Sequence, residues 1–342
     1  LTPVLPQDTI VSARAEMPLA VSEDERIFIN GYQTWTFCPE YTREDKIPGV
    51  GRFPKFIVDH YGMDRYGDYH FVDYPRRAGL LHGESWCSFR RGEDFRLVAS
   101  LSERAGYTLF TYDAPNGLLT VQRDCAGIEC GGEYPVFELF FAEGAEDAVF
   151  DAWFAEMGIK PRTQVKLAGY TSWYNRYQSI NEDSISDDLV GCAAVMRAGD
   201  LFQIDDGWES AVGDWLEADE KKFPLGMKIL ADGIHRRDFL AGLWLAPFVC
   251  QKGSRIMREH PDWLLLHEGK PWYCGCNWCG FYALDIDNPA VQDYLQTVFD
   301  RVLNDWGFDL VKLDFLYGAA PFGNEHESRA ARMQRAMAWL RT

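Results

Sequence analysis

Asp309-Leu310-Val311-Lys312-Leu313-Asp314-Phe315-Leu316-Tyr317-Gly318 is the stretch from which the fold can be read. It starts apolar and β-branched, ends in charge and runs into a glycine-containing loop, the pattern of a short buried strand. Side chains alternate across a strand, so Lys312 and Asp314 fall on one side and Leu313 on the other. Desolvating charges in an apolar strand costs on the order of several kcal/mol unless they are paired. A structural ion pair and a catalytic pair fit this stretch equally well.

The same alternation of strand and helix runs back through residues 158–342. Val165 to Ser172 reads as a first strand, and Ile185 to Met196 as a helix with Leu189 facing inward. Leu201 to Asp205 is a second strand, ending in Asp205-Asp206-Gly207-Trp208; a helix follows around Lys228 to Arg237, then a third strand, Leu240 to Pro247. The helix beginning at Pro289 is the clearest. Asn288 suits its N-cap and Pro289 its first position, and Val291, Tyr294, Leu295, Val298, Phe299, Val302 and Leu303 make one apolar stripe. Asp309 to Gly318 is then the fourth strand, with a last helix from about Glu325. Strands separated by helices imply a parallel sheet. Every charged strand end lies at the carboxyl side, the face that carries active sites in a (β/α)₈ barrel. A whole barrel takes ~250 residues, so 158–342 holds about the first four βα units of one.

Upstream the period changes. From Ile27 to Phe141 short alternating segments are broken by turns: Phe95, Leu97, Ala99 and Leu101 are spaced by two, as are Leu109 and Thr111. Arg91-Gly92-Glu93 and Pro115-Asn116-Gly117 read as hairpin turns. The pattern predicts a β-sandwich over residues 1–157, a multidomain chain of β followed by α/β. Residues 1 to about 24, with Pro3, Pro6, Pro18 and no period, are assigned no element. Val149, Phe150, Trp153, Phe154 and Met157 recur at helical spacing, and Gly158 ends that helix at the junction. In the loop Asn30-Gly31-Tyr32-Gln33-Thr34-Trp35-Thr36, two aromatics beside amides suit local packing or a ligand contact.

The 342 residues suffice for two domains with a sizeable core. A formal charge of −18 argues against nucleic acid or an anionic membrane as partner, since both need a basic footprint, and favours a small neutral substrate. Twelve tryptophans suit platforms for the apolar faces of sugars as well as core packing. Nine scattered cysteines in a chain too large to need staples predict reduced thiols and a cytoplasmic protein. Cys274, Cys276 and Cys279 would bring three thiolates together, but a structural zinc wants four ligands and His260 and His267 have no recognisable spacing, so no metal or other cofactor is expected. No apolar run approaches ~18 residues, and Leu1 to Val21 lacks the basic start and apolar centre of a signal peptide. Starting at Leu1, the chain reads as an excerpt of something longer.

The strand ends offer Trp173 and Tyr174, then Asp205 and Asp206, then Trp244, then Lys312 and Asp314: a polar pocket with apolar walls. Adjacent acids alone suit a solvated turn or a helix cap. Here Phe202 and Ile204 pack one face while Gln203 and Asp205 share the other, which turns Asp205 toward the barrel axis at its rim.

Seven strings, Asn30-Gly31-Tyr32-Gln33-Thr34-Trp35, Phe202-Gln203-Ile204-Asp205-Asp206-Gly207, Gly213-Asp214-Trp215, Gly242-Leu243-Trp244-Leu245-Ala246-Pro247-Phe248, His260-Pro261-Asp262-Trp263, Tyr282-Ala283-Leu284-Asp285 and Lys312-Leu313-Asp314-Phe315-Leu316, are collinear. Together they resemble the α-galactosidases (melibiases) of glycoside hydrolase family 36, from about residue 27 to the end. The resemblance implies a β-sandwich before a catalytic (β/α)₈ barrel, and retaining hydrolysis of terminal α-galactosides of the melibiose or raffinose type. It makes Asp314 the nucleophile, Asp205 and Asp206 acceptors for galactose hydroxyls far from the anomeric carbon, and Lys312 a donor to a hydroxyl beside the nucleophile. Trp244 and Trp173 become pocket walls, Trp35 closes the pocket from above, and Asn277 is a substrate contact. Cys276 stands where several members have a basic residue, a departure that bears on one sugar contact and on substrate preference.

A retaining enzyme also needs a second carboxyl ~5–5.5 Å from the nucleophile. In the family it is an Asp at a later strand end, and 28 residues follow Asp314, so the acid/base is expected outside this chain and the chain alone is expected to hydrolyse poorly. Half a barrel would leave open sheet edges, which favours association of copies. Two other functions fit the same residues: a galactose-binding or assembly module without catalysis, and an α-N-acetylgalactosaminidase, whose sugar differs only at the second carbon.

Overall fold

The computed structural model describes residues 8–29, 38–47, 54–61, 77–125 and 127–342. They group into two units, Leu1–Arg162 with Ala320–Thr342, and Thr163–Ala319.

The first unit is β-rich. Leu139–Gly144, Asp94–Ser100, Trp86–Arg91, Arg26–Ile29 and Glu40–Tyr41 form one antiparallel sheet in that order; Ala13–Pro18, Leu118–Arg123, Thr108–Asp113 and Leu80–Glu84 form another. Ile27, Ile29, Cys87, Phe89 and Val98 of the first sheet and Leu81, Phe110, Tyr112, Leu119 and Val121 of the second are buried in one common cluster. Phe95, Leu97 and Ala99 alternate with Val98 and so face away from that cluster, where Val149 and Trp153 of the helix Glu146–Glu156 cover them. The Trp153 Nε1–H donates to the Ser100 carbonyl at 3.0 Å, fixing the helix against the strand end.

Two segments differ from the sequence expectation. Ala13–Pro18, assigned no element, is a strand paired along its whole length with Leu118–Arg123. Ala13 alone among its six residues is buried; an edge strand that shows nearly every side chain to water carries no alternation to read. The C-terminal helix Arg329–Trp339, expected within the 158–342 domain, groups with the first unit. The Ser328 hydroxyl caps that helix by accepting from Ala331 N–H at 3.1 Å and donates to the Ala105 carbonyl at 2.9 Å, while Arg329 holds Asp124 through two bonds of 2.9 and 2.8 Å. Contacts across 205 positions leave no local signal.

The second unit is built on a parallel sheet in the order Gly169–Thr171, Leu201–Ile204, Leu240–Leu245, Leu310–Leu313. Its registers pair Thr171 with Gln203, Gln203 with Gly242, and Trp244 with Lys312, which brings the carboxyl ends level. Helices Glu182–Cys192, Met227–His235 and Pro289–Asp300 lie in the successive connections, as the periods predict. The Asn288 side chain caps the last of these by accepting from Ala290 N–H at 3.0 Å, and Val291, Leu295 and Val298 are its buried face. The first strand is shorter than Val165 to Ser172 because Val165 and Leu167 lie exposed, outside the ladder. The third connection also carries an antiparallel sheet of Val249–Gln251, Phe281–Ala283 and Tyr273–Gly275. No helix among the described residues is long and apolar enough to cross a membrane.

Candidate active site

Asp205 follows directly from the second parallel strand and is 1% exposed. Its Oδ2 accepts from Lys312 Nζ at 2.8 Å, Gln203 Nε2 at 2.6 Å and Thr171 Oγ1 at 3.2 Å. Its backbone N–H donates to Ser172 Oγ at 2.9 Å, and its Oδ1 accepts the Asp206 N–H at 2.9 Å. Three strands thus converge on one carboxylate. The i, i+2 alternation that puts Gln203 beside Asp205 was legible in the sequence. The partner of Lys312 was not: it bonds to Asp205 across the sheet, not to Asp314, since residues two apart along a strand are separated by about 6.6 Å.

Asp314 follows directly from the fourth strand. Its Oδ2 accepts from Trp244 Nε1 at 3.1 Å and its Oδ1 from the Phe315 N–H at 2.8 Å, while its own N–H donates to the Leu245 carbonyl at 2.8 Å. With each oxygen held by a separate donor, the plane of the carboxylate is fixed. Trp244, expected as a pocket wall, is 1% exposed and packs edge-on against Trp215 at 5.7 Å, so its main contact with the site is the N–H it gives to Asp314. Phe315 adopts a left-handed φ of 51°, which turns the chain just after Asp314.

Asp206 is 4% exposed, and its Oδ2 accepts from Gln178 Nε2 at 2.7 Å and Trp278 Nε1 at 2.9 Å. Trp278 sits in the turn Asn277–Cys279 with a φ of 53°, its ring 4.8 Å from Phe315 and 6.0 Å from Trp244. Trp278 is therefore the residue of this turn brought to the acids; among the described bonds Asn277 contributes its carbonyl, to Gly280 N–H at 2.8 Å. A left-handed tryptophan follows no alternation, so nothing in the sequence singled it out.

Trp173 opens the short helix Trp173–Arg176 and lies edge-on to Tyr177 at 5.3 Å, with no described contact to Asp205, Lys312 or Asp314. That helix is tied down by Arg176, which bonds Asp188 at 3.0 and 2.7 Å, while Tyr170 Oη donates to Asp188 at 2.6 Å. The Arg176 guanidinium holds the Asp188 carboxyl below its usual range, and burial pushes the Tyr170 phenol up to about 12. Trp35 and its loop lie outside the described residues. Cys274 is buried, with burial pushing its thiol well up, whereas Cys276 is half-buried and Cys279 exposed.

The turn that aims both acids depends on Gly207. Its φ is +113°, and a Cβ there would meet the Gln178 carbonyl oxygen at 2.8 Å and its Cα at 2.9 Å. An alanine would be strained and would also push away the backbone of the residue whose amide holds Asp206. Gly207→Ala should lower the unfolding free energy by about 3 kcal/mol, read in denaturant unfolding; an unchanged midpoint would mean that the loop relaxes freely.

The melibiase family pattern matches residues 163–341, the whole of the parallel-sheet unit and, beyond it, the C-terminal helix Arg329–Trp339. α-Galactosidase Mel36A of Lactobacillus acidophilus is 30% identical over 166 residues, 46% of this chain and 22% of that protein. Among solved structures, TtGalA, an α-galactosidase from Thermus thermophilus in complex with p-nitrophenyl α-D-galactopyranoside, is similar at a TM-score of 0.70 and 30% identity, over 97% of this chain and 62% of that one. AgaA, a family 36 α-galactosidase from Geobacillus stearothermophilus, shares the fold at a TM-score of 0.57 and 17% identity, over 96% of this chain and 45% of that one. The chain thus spans less than a quarter of the curated relative and less than two thirds of the Thermus chain. Since the family pattern covers the very unit that gathers Asp205, Asp206, Lys312 and Asp314, the chain belongs to the melibiase family, the α-galactosidases of glycoside hydrolase family 36.

Proposed function

We propose that this chain carries the sugar pocket and the nucleophile of a retaining α-galactosidase, its two units being the family's β-sandwich and the first part of its (β/α)₈ barrel. One observation carries the reading: Asp205 with Lys312, Asp206 with Trp278, and Asp314 with Trp244 all lie at the level carboxyl ends of one parallel sheet. Such a set offers a hydroxyl-rich neutral sugar both acceptors and donors. Lys312 has three N–H donors and gives one to Asp205, which leaves two for sugar hydroxyls.

In this mechanism an Asp314 oxygen attacks the anomeric carbon, an ester bond forms to the sugar and the bond to the leaving oxygen breaks. The leaving oxygen takes a proton from an acid, and the same group then deprotonates the water that cleaves the ester and restores Asp314. The donors on Asp314 select which lone pair faces the sugar, and the alignment of nucleophile and electrophile is where positioning lowers the barrier.

A further structure of the Thermus enzyme holds stachyose, which supports terminal α-galactosides as the substrate class; the net charge of −18 is compatible with such a neutral ligand. The buried thiols of Cys87, Cys125, Cys130, Cys192, Cys250 and Cys274 fit a reducing compartment, and the reading extends to a cytoplasmic protein. A 2-deoxy-2-fluoro galactosyl probe should leave an adduct that peptide mass spectrometry finds on Asp314. Galactose binding in calorimetry without any adduct would point instead to a binding module, and faster turnover of the aryl α-N-acetylgalactosaminide than of the aryl α-galactoside would change the sugar.

A further inference from the structure

Glu209 plays no part in the reading above, yet it lies three residues beyond Asp206 in the same turn and is 7% exposed. Its Oε2 accepts the Gly207 N–H at 3.2 Å, and the carboxyl also takes the backbone N–H of Glu209 itself. Oδ1 of Asp206 is buried and takes no N–H from any described residue. Among the described residues, the nearby lysines are used elsewhere. Lys312 is on Asp205 at 2.8 Å, and Lys222 Nζ gives its bonds to the carbonyls of Gly207 at 2.9 Å and Gln178 at 3.4 Å. Across the bridge from Glu209 to Ala218, the neighbouring Glu217 pairs with Arg255 at 3.3 Å.

Two adjacent buried carboxyls without a cation between them do not both ionise. The bonding decides which one keeps the proton. Asp206 accepts two side-chain N–H groups on one oxygen, at 2.7 and 2.9 Å, and keeps the other open to a donor; among the described residues the Glu209 carboxyl meets backbone N–H groups, that of Gly207 at 3.2 Å and its own. We propose that Glu209 is a positioning residue that stays protonated at neutral pH and donates its O–H to Oδ1 of Asp206, so that this acid pair of the sugar pocket carries one negative charge. Asp206 is then held by three donors, and a sugar hydroxyl meets one carboxylate rather than two in mutual repulsion. Burial first, then the charge of Asp206 and the bond between the two, push the Glu209 carboxyl well above its usual value. The proposal rests on the galactoside reading for what the pair binds, and not for where the proton sits.

The proton is read directly. Infrared spectra of the 342-residue protein with ¹³C-labelled glutamate should hold a protonated-carboxyl band at neutral pH that Glu209→Gln removes. The comparison with the variant matters because burial also raises the Glu103 carboxyl in the β-rich unit. Stability against pH gives a second readout. A carboxyl whose folded pKa is raised binds its proton more tightly in the folded state, so its stabilising share is complete below the unfolded value of about 4.3 and is lost as pH climbs toward the folded value. Glu209→Gln, neutral and still a donor, should remove that decline and melt higher than the wild type at neutral pH.

Galactose affinity of the wild type should fall by about tenfold as pH passes the point where the band vanishes, because a second like charge then enters the site, while Glu209→Gln stays flat. A band untouched by Glu209→Gln, with a stability curve parallel to that of the wild type, overturns the proposal whatever the sugar does. A band lost in the variant from a protein that binds no galactose at any pH keeps the proton assignment and sinks the galactoside reading alone.

Discussion

On the proposed reading, Asp314→Asn should remove turnover of p-nitrophenyl α-galactoside, lowering kcat by on the order of 10⁴- to 10⁶-fold, the scale on which loss of a hydrolase nucleophile acts. The fold has little reason to respond. Asparagine keeps the shape of the side chain and one oxygen to accept the Phe315 N–H. What it loses is an acceptor for Trp244 Nε1, now faced by an amide nitrogen. A hydrogen bond of that kind is worth about 1 kcal/mol net, and Trp244 stays packed against Trp215 and Trp278. The unfolding midpoint should therefore hardly move, and galactose should still bind, since Asp205, Asp206 and Lys312 are untouched. Near-normal turnover in this variant would remove Asp314 from the nucleophile's role; lost turnover with lost folding would leave the role to the probe adduct.

The second unit was legible because its elements obey their periods. Buried strands such as Leu240–Leu245 read as continuous apolar runs, the helix after Asn288 announces its own cap, and Gln203 and Asp205 share a face by simple alternation. What sequence could not supply was pairing across distance. Lys312 meets Asp205 over 107 positions, and Trp278 meets Asp206 over 72. Nor does local pattern survive where the backbone is left-handed, as at Phe315 and Trp278, because side-chain direction there no longer follows strand or helix. Glu209 reads as one more acid after a turn; only its burial beside Asp206 makes it a different object. The strand Ala13–Pro18 was lost for the opposite reason, since an edge with one buried residue looks like a loop.

The pairing of Lys312 with Asp205 leads to the other large effect. In this pair the Asp205 side chain is 2% exposed and the lysine 39%, so water reaches one end only. Lys312→Met leaves a buried carboxylate with neutral donors alone, Gln203, Thr171 and the Asp206 N–H. Removing one partner of a fully buried pair costs about 3–5 kcal/mol; with the lysine end solvated, about 2–3 kcal/mol is expected here. Asp205→Asn alone should also destabilise, since the lysine then faces an amide in a site built for a charge. The double variant, Lys312→Met with Asp205→Asn, has no buried charge left, so its stability should return most of the way to the wild type, a coupling of about 2 kcal/mol in the double-mutant cycle. Galactose affinity should not return with it, because both proposed sugar contacts are gone. Denaturant unfolding of the four proteins separates the cases: independent, additive losses would make Lys312 a screened surface lysine, whereas recovered stability with unrecovered binding makes the pair a device of the site, kept for the sugar rather than for the fold.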